Sequence, residues 1–114
     1  MAKEIQSTSP DGFYTVQCEP WEPRMSLWVY SPEIVENETC KIVFSFCDPN
    51  WSAEYSTWLG PTRVQLGLRK YPGDKLPKGV VVDIDLINQV ALLENHQIGL
   101  HELEALLERC LKNA

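Results

Sequence analysis

The chain has 114 residues, of which 44% are hydrophobic, so it can close one folded core and is too apolar for a disordered tail. It carries 16 acidic against 10 basic residues, a formal net charge of −6 at pH 7. Such an acidic chain is poorly suited to non-specific binding of nucleic acid or of anionic membranes, and its macromolecular partner is expected to be basic.

Residues 1–11 are polar and predict a flexible N-terminal arm that ends at the turn signal Ser9-Pro10-Asp11-Gly12. Residues 12–114 are predicted to form a single β-rich domain. The N-terminus lacks the apolar core of a signal peptide, and no apolar run is long enough to span a membrane. We therefore expect a cytoplasmic protein.

After the arm, short apolar runs alternate with turn residues about every 8–12 positions, a spacing that is typical of antiparallel β-structure. Pro20 and Pro23 are expected to break the first strand and leave Trp21 in a loop, and Ser31-Pro32 is expected to end the second strand. A short continuation is predicted at Glu33–Glu36. The predicted strands are Phe13–Cys18, Met25–Tyr30, Cys40–Cys47, Trp51–Leu59, Arg63–Arg69, Val80–Leu86 and Val90–Glu94.

Two of these strands carry clear patterns. Arg63–Arg69 alternates apolar and polar residues, which is typical of a strand with one buried face. Cys40–Cys47 has apolar residues on both faces, so it is expected to be central in the sheet.

The chain ends in a different pattern, because from Gly99 the apolar residues recur with the 3.6-residue period of a helix. Glu102 and Glu104 begin this segment and Arg109 and Lys112 end it, an order that complements the helix dipole. The sequence therefore predicts an amphipathic helix over residues 99–112 that covers part of the sheet.

Together these elements predict an α+β fold. A twisted antiparallel sheet of seven or eight short strands would form a sandwich or a partial barrel, with the helix packed on one face or closing one end. The predicted core residues are Val16, Leu27, Val29, Ile42, Phe44, Phe46, Val64, Leu66, Leu68, Val82, Ile84, Leu103, Leu106 and Leu107.

The four cysteines, Cys18, Cys40, Cys47 and Cys110, show no Cys-x-x-Cys spacing, and only two histidines could join them in a metal site. No metal and no cofactor is therefore predicted. In a cytoplasmic protein the cysteines are expected to be reduced and mostly buried. A disulfide between Cys18 and either Cys40 or Cys47 remains the alternative.

No catalytic motif is present, and no catalytic residue is predicted. Asp83 and Asp85 would share one face of a strand, an arrangement open to a metal or to a paired acid and base. No further ligand is spaced to join them, so we interpret them as surface residues that pair with Arg63 or Arg69. An enzyme that uses the two aspartates is the third and weakest functional hypothesis.

The acidic residues are unevenly distributed along the chain. Residues 1–57 contain nine acidic and three basic side chains, a net charge of −6, and the remainder is neutral. Tryptophan is enriched at binding interfaces, and Trp21 lies among prolines and glutamates as the expected exposed anchor. The predicted partner-binding residues are Glu19, Trp21, Glu22, Glu36, Asp48 and Trp51.

Several stretches of the sequence resemble a group of small bacterial proteins without assigned activity, over roughly residues 13–90. That resemblance implies no catalytic or binding residue. The stretches are Arg24-Met25-Ser26-x-Trp28-Val29-x-Ser31-Pro32, Trp51-Ser52-Ala53 with Trp58, and Val64-x-Leu66-x-Leu68-Arg69-Lys70-Tyr71-Pro72-Gly73-Asp74.

In size, acidity and layout the chain is also similar in type to cytosolic immunity proteins that neutralise bacterial toxins, with no shared motif. The leading hypothesis is therefore an immunity-type protein that occludes the basic active site of a toxin. The alternative is a β module that binds a small molecule or a carbohydrate on a sheet face with Trp and Tyr. A homodimer formed through a free sheet edge is compatible with either hypothesis.

Overall fold

The computed structural model describes residues 3–24, 27–70 and 79–112, which form nine antiparallel strands in two sheets and one C-terminal helix. The mostly-β α+β class is thus confirmed, with two sheets instead of one and nine strands instead of seven or eight. In the first sheet, neighbouring strands are β1 (Glu4–Thr8), β2 (Tyr14–Arg24), β3 (Leu27–Glu36) and β4 (Lys41–Ser45). In the second they are β5 (Trp51–Gly60), β6 (Arg63–Lys70), β7 (Val80–Asp85), β8 (Val90–Leu93) and β9 (His96–Gly99).

The alternation in β6 appears in the structure as predicted. Val64, Leu66 and Leu68 are buried, and Arg63 and Arg69 are exposed on the opposite face. Because paired residues of antiparallel strands share a face, their partners in β7 also face the core: Ile84 and Val82 are buried and Val80 is partly buried. These central strands supply the middle of the hydrophobic core.

The prolines do not interrupt the strands as expected, since β2 runs through Pro20 and β3 through Pro32. β1 pairs with β2 only as far as Cys18, and β4 pairs with β3 only as far as Glu33. Both prolines lie just beyond those points, where their strand has an open side and a missing N–H breaks no ladder. One consequence is that Trp21 lies in a strand and not in a loop.

The expected arm is also corrected, because Glu4–Thr8 is a strand hydrogen-bonded to β2. Its side chains bind β5 of the other sheet. Gln6 Nε2 donates to the carbonyl of Ala53 at 2.9 Å, and Trp58 Nε1 donates to Ser7 Oγ at 2.9 Å. β1 is held by hydrogen bonds instead of apolar burial, which explains why its sequence lacks an alternating apolar pattern.

The strand predicted at Cys40–Cys47 is β4, and it is an edge strand, not a central one. Ile42, expected in the core, is 50% exposed, because a shift in the β3–β4 register pairs it with Val35 while Phe44 pairs with Ile34, and so turns Ile42 away from the face that buries Phe44. Phe44 is buried and Phe46, just past the strand, is partly buried against the core. The side chain of Leu27, another predicted core residue, lies outside the described residues.

The C-terminal segment differs from the prediction at its start. β8 ends at Leu93, a turn follows in which Glu94 and Asn95 have φ of 49° and 69°, and β9 occupies His96–Gly99. A 3₁₀ turn over Leu100–Glu102 then leads into helix α1 (Leu103–Lys112). Leu100, Leu103 and Leu107 of the predicted apolar stripe are buried in the core and Leu106 packs against it, while Cys110 is exposed.

One continuous core joins the two sheets and the helix. Trp51 is fully buried in it and stacks on Phe46, with ring centroids 5.5 Å apart. Val16, Val64, Leu66, Leu68, Val82, Ile84, Leu103 and Leu107 are buried as predicted, Val29 is buried outside this cluster, and Leu106 is partly buried. Within the described part of the chain, no helix has the length and apolarity needed to cross a membrane.

All four cysteines are free thiols in the structure, and only Cys18 is buried. The expectation of mostly buried cysteines is therefore wrong for Cys40, Cys47 and Cys110. These three lie in a turn, in the loop after an edge strand and on the outer side of a short helix, where the surrounding structure leaves them exposed.

Candidate functional site

The predicted partner-binding residues separate into three places in the structure. Glu19 and Trp21 line a cleft on the first sheet, with Glu22 exposed one residue further along β2. Glu36 is the last residue of β3, three residues beyond Glu33, and does not line the cleft. Asp48 and Trp51 belong to the joint between the sheets and the helix.

The cleft has a volume of about 420 Å³ and lies where the residue before β1, the second half of β2, the middle of β3 and the end of β4 with its following loop meet. Its walls combine two aromatic side chains and two prolines with two carboxylates, one ammonium group and two hydroxyls. The lining residues are Lys3, Glu19, Trp21, Ser31, Pro32, Glu33, Ser45, Phe46 and Pro49.

One wall of the cleft is fixed by a shared acceptor. The carbonyl of Pro49 accepts hydrogen bonds from Trp21 Nε1 at 3.0 Å and from Ser31 Oγ at 2.6 Å. These bonds tie the turn after β4 to β2 and β3 and set the orientation of the Trp21 ring. The wall is therefore formed before any ligand arrives, which lowers the entropic cost of binding.

The acidic end of the cleft is built around Glu33 in β3. Its Oε1 accepts hydrogen bonds from Lys3 Nζ at 2.7 Å and from Gln17 Nε2 at 2.5 Å. Burial alone would raise the pKa of Glu33, but the bonds from Lys3 and Gln17 outweigh it and hold the pKa below its ordinary value. Glu33 is therefore a carboxylate at neutral pH.

The pKa of Lys3 is shifted in the opposite direction, above its ordinary value. Its hydrogen bond to Glu33 raises the pKa of Lys3, and the charge of Glu19, which lines the same cleft, adds to that effect. Glu19 is exposed. The two carboxylates and the neighbouring rings form a setting suited to a cationic group, because an ammonium or guanidinium gains from both.

Glu36 is not part of this cleft. It lies five residues after Ser31 on β3, which at the rise of an antiparallel strand is about 17 Å. Its carboxylate accepts a hydrogen bond from Thr39 Oγ1 at 3.2 Å within the β3–β4 turn. A single contact surface that includes Glu19 and Glu36 would have to run along most of the sheet.

Asp48 and Trp51 hold the helix instead of facing solvent. Trp51 Nε1 donates to Glu108 Oε1 of α1 at 3.0 Å. Lys70 pairs with both Glu108 and Asp48, the latter at 3.0 Å, and its Nζ lies 5.4 Å from the Trp51 ring centroid. The fully buried Trp51 therefore cannot contact a partner in this conformation.

Asp83 and Asp85 share a face of β7, and each accepts hydrogen bonds from neighbouring residues. Asp83 accepts a hydrogen bond from Gln65 Nε2 at 3.1 Å. Asp85 pairs in register with Arg63 and accepts the backbone N–H groups of Ile87 and Asn88, both at 3.1 Å. Among residues 3–24, 27–70 and 79–112, no group of three His, Cys, Asp or Glu side chains is placed to hold a metal ion.

The sequence pointed to Glu19 and Trp21 but missed Lys3, Glu33 and Phe46. Lys3 joins the site only because β1 pairs with β2, and that polar strand has no pattern by which to recognise it. Glu33 is brought beside Gln17 by the β2–β3 register, and this hairpin was obscured by the prolines.

Comparison of the chain with protein-family models, with curated proteins and with solved structures finds no match.

Proposed function

We propose that this protein is a binding protein of the immunity type, which neutralises a bacterial toxin by occluding a basic surface at the toxin's active site. In this proposal the protein is cytoplasmic and acts without a cofactor and without catalysis of its own. The observation that carries the proposal is the cleft walled by Trp21 and Phe46 and bordered by the carboxylates of Glu19 and Glu33.

Charge and shape support a basic protein as the partner. The first 57 residues carry the whole net charge of −6, and they include every residue that lines the cleft. An acidic surface raises the association rate with a basic partner, and a half-buried aromatic residue at its centre supplies the apolar contact area that slows dissociation. Occlusion needs only these two properties.

A second function, binding of a carbohydrate or another small molecule, is favoured by one observation. The same cleft is concave, and Trp21 stands beside the hydroxyl of Ser31 and the carboxylate of Glu19. A sugar can stack on an indole ring and bond to such groups. A titration with neutral mono- and oligosaccharides monitored by tryptophan fluorescence tests this function directly.

The main experiment identifies the partner and then measures neutralisation. Wild-type protein is immobilised to capture proteins from its source cells, and each captured protein is expressed with and without it in a growth assay. We expect a basic protein whose expression arrests growth, and rescue of growth by the wild type.

Charge reversal gives the matched control. Glu19→Arg, in the cleft, should weaken binding of the purified partner at least tenfold, while Glu38→Arg, the same charge change in the exposed β3–β4 turn, should have little effect. The proposal is wrong if the captured proteins are not basic, if none is inhibited, or if the two variants bind equally well.

A further inference from the structure

We propose that the cleft receives a single arginine side chain of the partner, and that Lys3 occupies the acidic end of the cleft as an internal ligand which this arginine displaces. The inference rests on the proposed function and specifies the chemistry of the same site.

Lys3 already shows how the cleft binds a cation. Its ammonium group is hydrogen-bonded to Glu33 at 2.7 Å, in a cleft whose other lining residues include two aromatic rings and two hydroxyls. The side chain of Lys3 is 39% exposed, while that of Glu33 is 13% exposed. The ammonium group can therefore leave by rotation of its own flexible side chain, whereas the carboxylate stays recessed in the sheet.

Displacement of this ammonium group favours a guanidinium over a second ammonium. A guanidinium has five N–H donors in a planar arrangement that matches carboxylates, is more weakly hydrated than an ammonium, and stacks on aromatic faces. Glu19 and Glu33 offer two carboxylates, and Trp21 and Phe46 offer two rings. A lysine from the partner would only replace one ammonium by another, with little gain.

The second oxygen of the Glu33 carboxylate can accept further hydrogen bonds during such an exchange. Lys3 and Gln17 both donate to Oε1, and neither uses Oε2. Gln17 can keep its bond while the guanidinium takes the place of Lys3. The carboxylate then never lies buried without a donor, which would cost free energy.

The test uses three capped pentapeptides, Gly-Gly-X-Gly-Gly, in which X is arginine, lysine or citrulline. Binding is followed by NMR from the indole N–H signal of Trp21, assigned with Trp21→Phe. We expect the arginine peptide to shift this signal, the lysine peptide to bind at least threefold more weakly, and the uncharged citrulline peptide not to bind.

Removal of the internal ligand gives the decisive measurement. Lys3→Met should tighten binding of the arginine peptide about two- to fivefold, the factor expected when a partly exposed ion pair no longer competes. Lys41→Met removes the same charge from an exposed position that does not line the cleft, and should leave the affinity within about 1.5-fold of wild type. Glu19→Gln should weaken binding.

Equal affinity of the arginine and citrulline peptides overturns the inference, as does a Lys3→Met variant that binds no better than Lys41→Met. If the peptides fail but the protein still neutralises a basic partner, the inference fails alone and the proposed function stands. If the arginine peptide binds as expected and no basic partner is captured, the proposed function fails while the chemistry of the cleft is upheld.

Discussion

At the scale of single residues, the polar atoms of the tryptophans decide where these large side chains lie. Trp51 is fully buried because Glu108 accepts its indole N–H and Lys70 lies over its ring. Trp21 donates instead to a carbonyl at the surface and remains half-buried in the cleft. A buried indole N–H without an acceptor would be costly, so the complete burial of Trp51 depends on Glu108 as its acceptor.

Cys18 is predicted to be the unreactive thiol of the four. Burial, with smaller effects from Glu4 and Glu33, raises the pKa of Cys18 from 9.0 to about 11. Since each pKa unit is a factor of ten, the thiolate at pH 8 is about 100-fold rarer than for an ordinary cysteine. Alkylation by iodoacetamide under native conditions should therefore modify three cysteines, and mass spectrometry of the digest should find Cys18 unmodified until denaturant is added.

The same shift has a consequence for alkaline stability. A thiol whose pKa is raised by folding stabilises the native state fully below the unfolded value of 9.0, and this contribution is lost as the pH rises toward 11. Urea unfolding should show a decline over that interval that is smaller in Cys18→Ala. Rapid native alkylation of Cys18, or an unchanged decline in the variant, would contradict the buried placement.

At the scale of elements, α1 is attached to the sheets by carboxylates as well as by leucines. Both oxygens of Glu104 accept backbone N–H groups of the loop after β4, from Cys47 at 2.8 Å and from Asp48 at 2.9 Å. Glu108 accepts the indole N–H of Trp51 and forms an ion pair with Lys70. The helix therefore fixes the loop that carries Pro49, and through it one wall of the cleft.

Glu104→Ala should lower the free energy of unfolding by about 1–3 kcal/mol, because it leaves two backbone N–H groups without their charged acceptor. The neighbouring Glu102→Ala removes an exposed carboxylate from the same end of the helical segment and should change the stability by less than about 0.5 kcal/mol. Urea denaturation followed by circular dichroism measures both. Equal effects would mean that the two bonds contribute nothing beyond the helix dipole.

A second prediction at this scale concerns β1. Deletion of residues 2–8 removes three side-chain hydrogen bonds to β5, those of Gln6, of Ser7 with Ser56, and of Trp58 with Ser7. At about 1 kcal/mol each, their loss should lower the free energy of unfolding by about 3 kcal/mol, and the loss of the backbone pairing with β2 adds to this decrease. Ser7→Ala, which removes two of them, should cost about 2 kcal/mol. A truncated chain as stable as the full one would restore the interpretation of this segment as an arm.

The elements that could be predicted from sequence are those whose own burial pattern defines them. β6, β7 and the apolar stripe of α1 alternate or repeat with a clear period, because one face of each lies in the core. β1 and β9 are short and carry no such pattern, because β1 is held by pairing with β2 and by side-chain hydrogen bonds to β5, and β9 mainly by pairing with β8. Pro20 and Pro32 read as breaks because a sequence does not show which side of a strand is open. Glu19 and Trp21 could be identified because they lie close together in the sequence. Lys3 and Glu33 could not, because only the pairing of β1, β2 and β3 brings them to the cleft.

At the scale of the whole molecule, hydrogen bonds in three separate regions depend on carboxylates that remain ionised. Asp85 has a lowered pKa, chiefly because the backbone N–H of Asn88 donates to it. For Glu33 and Asp48, burial raises the pKa, and their hydrogen-bond donors reverse that effect and lower it. These groups lie in the β7–β8 turn, on the first sheet and in the joint with the helix. Their protonation therefore loosens separate parts of the structure at the same time.

The expected result is acid unfolding with a defined onset. A carboxyl whose pKa is lowered by folding stabilises the native state above its unfolded value, which is 3.8 for Asp and 4.5 for Glu, and this contribution is lost as the pH falls through the folded value. These groups therefore predict a constant urea midpoint from pH 5 to neutral pH and a decline below about pH 4. Asp85→Asn, which removes the charged acceptor, should lower the midpoint at pH 7 and make the decline shallower. Asn88→Ala removes only the side-chain amide donor to Asp85 at 2.9 Å and keeps the backbone N–H, so it should have the same effects to a smaller extent. If both variants keep the wild-type slope below pH 4, the bonds of the β7–β8 turn do not contribute to acid stability.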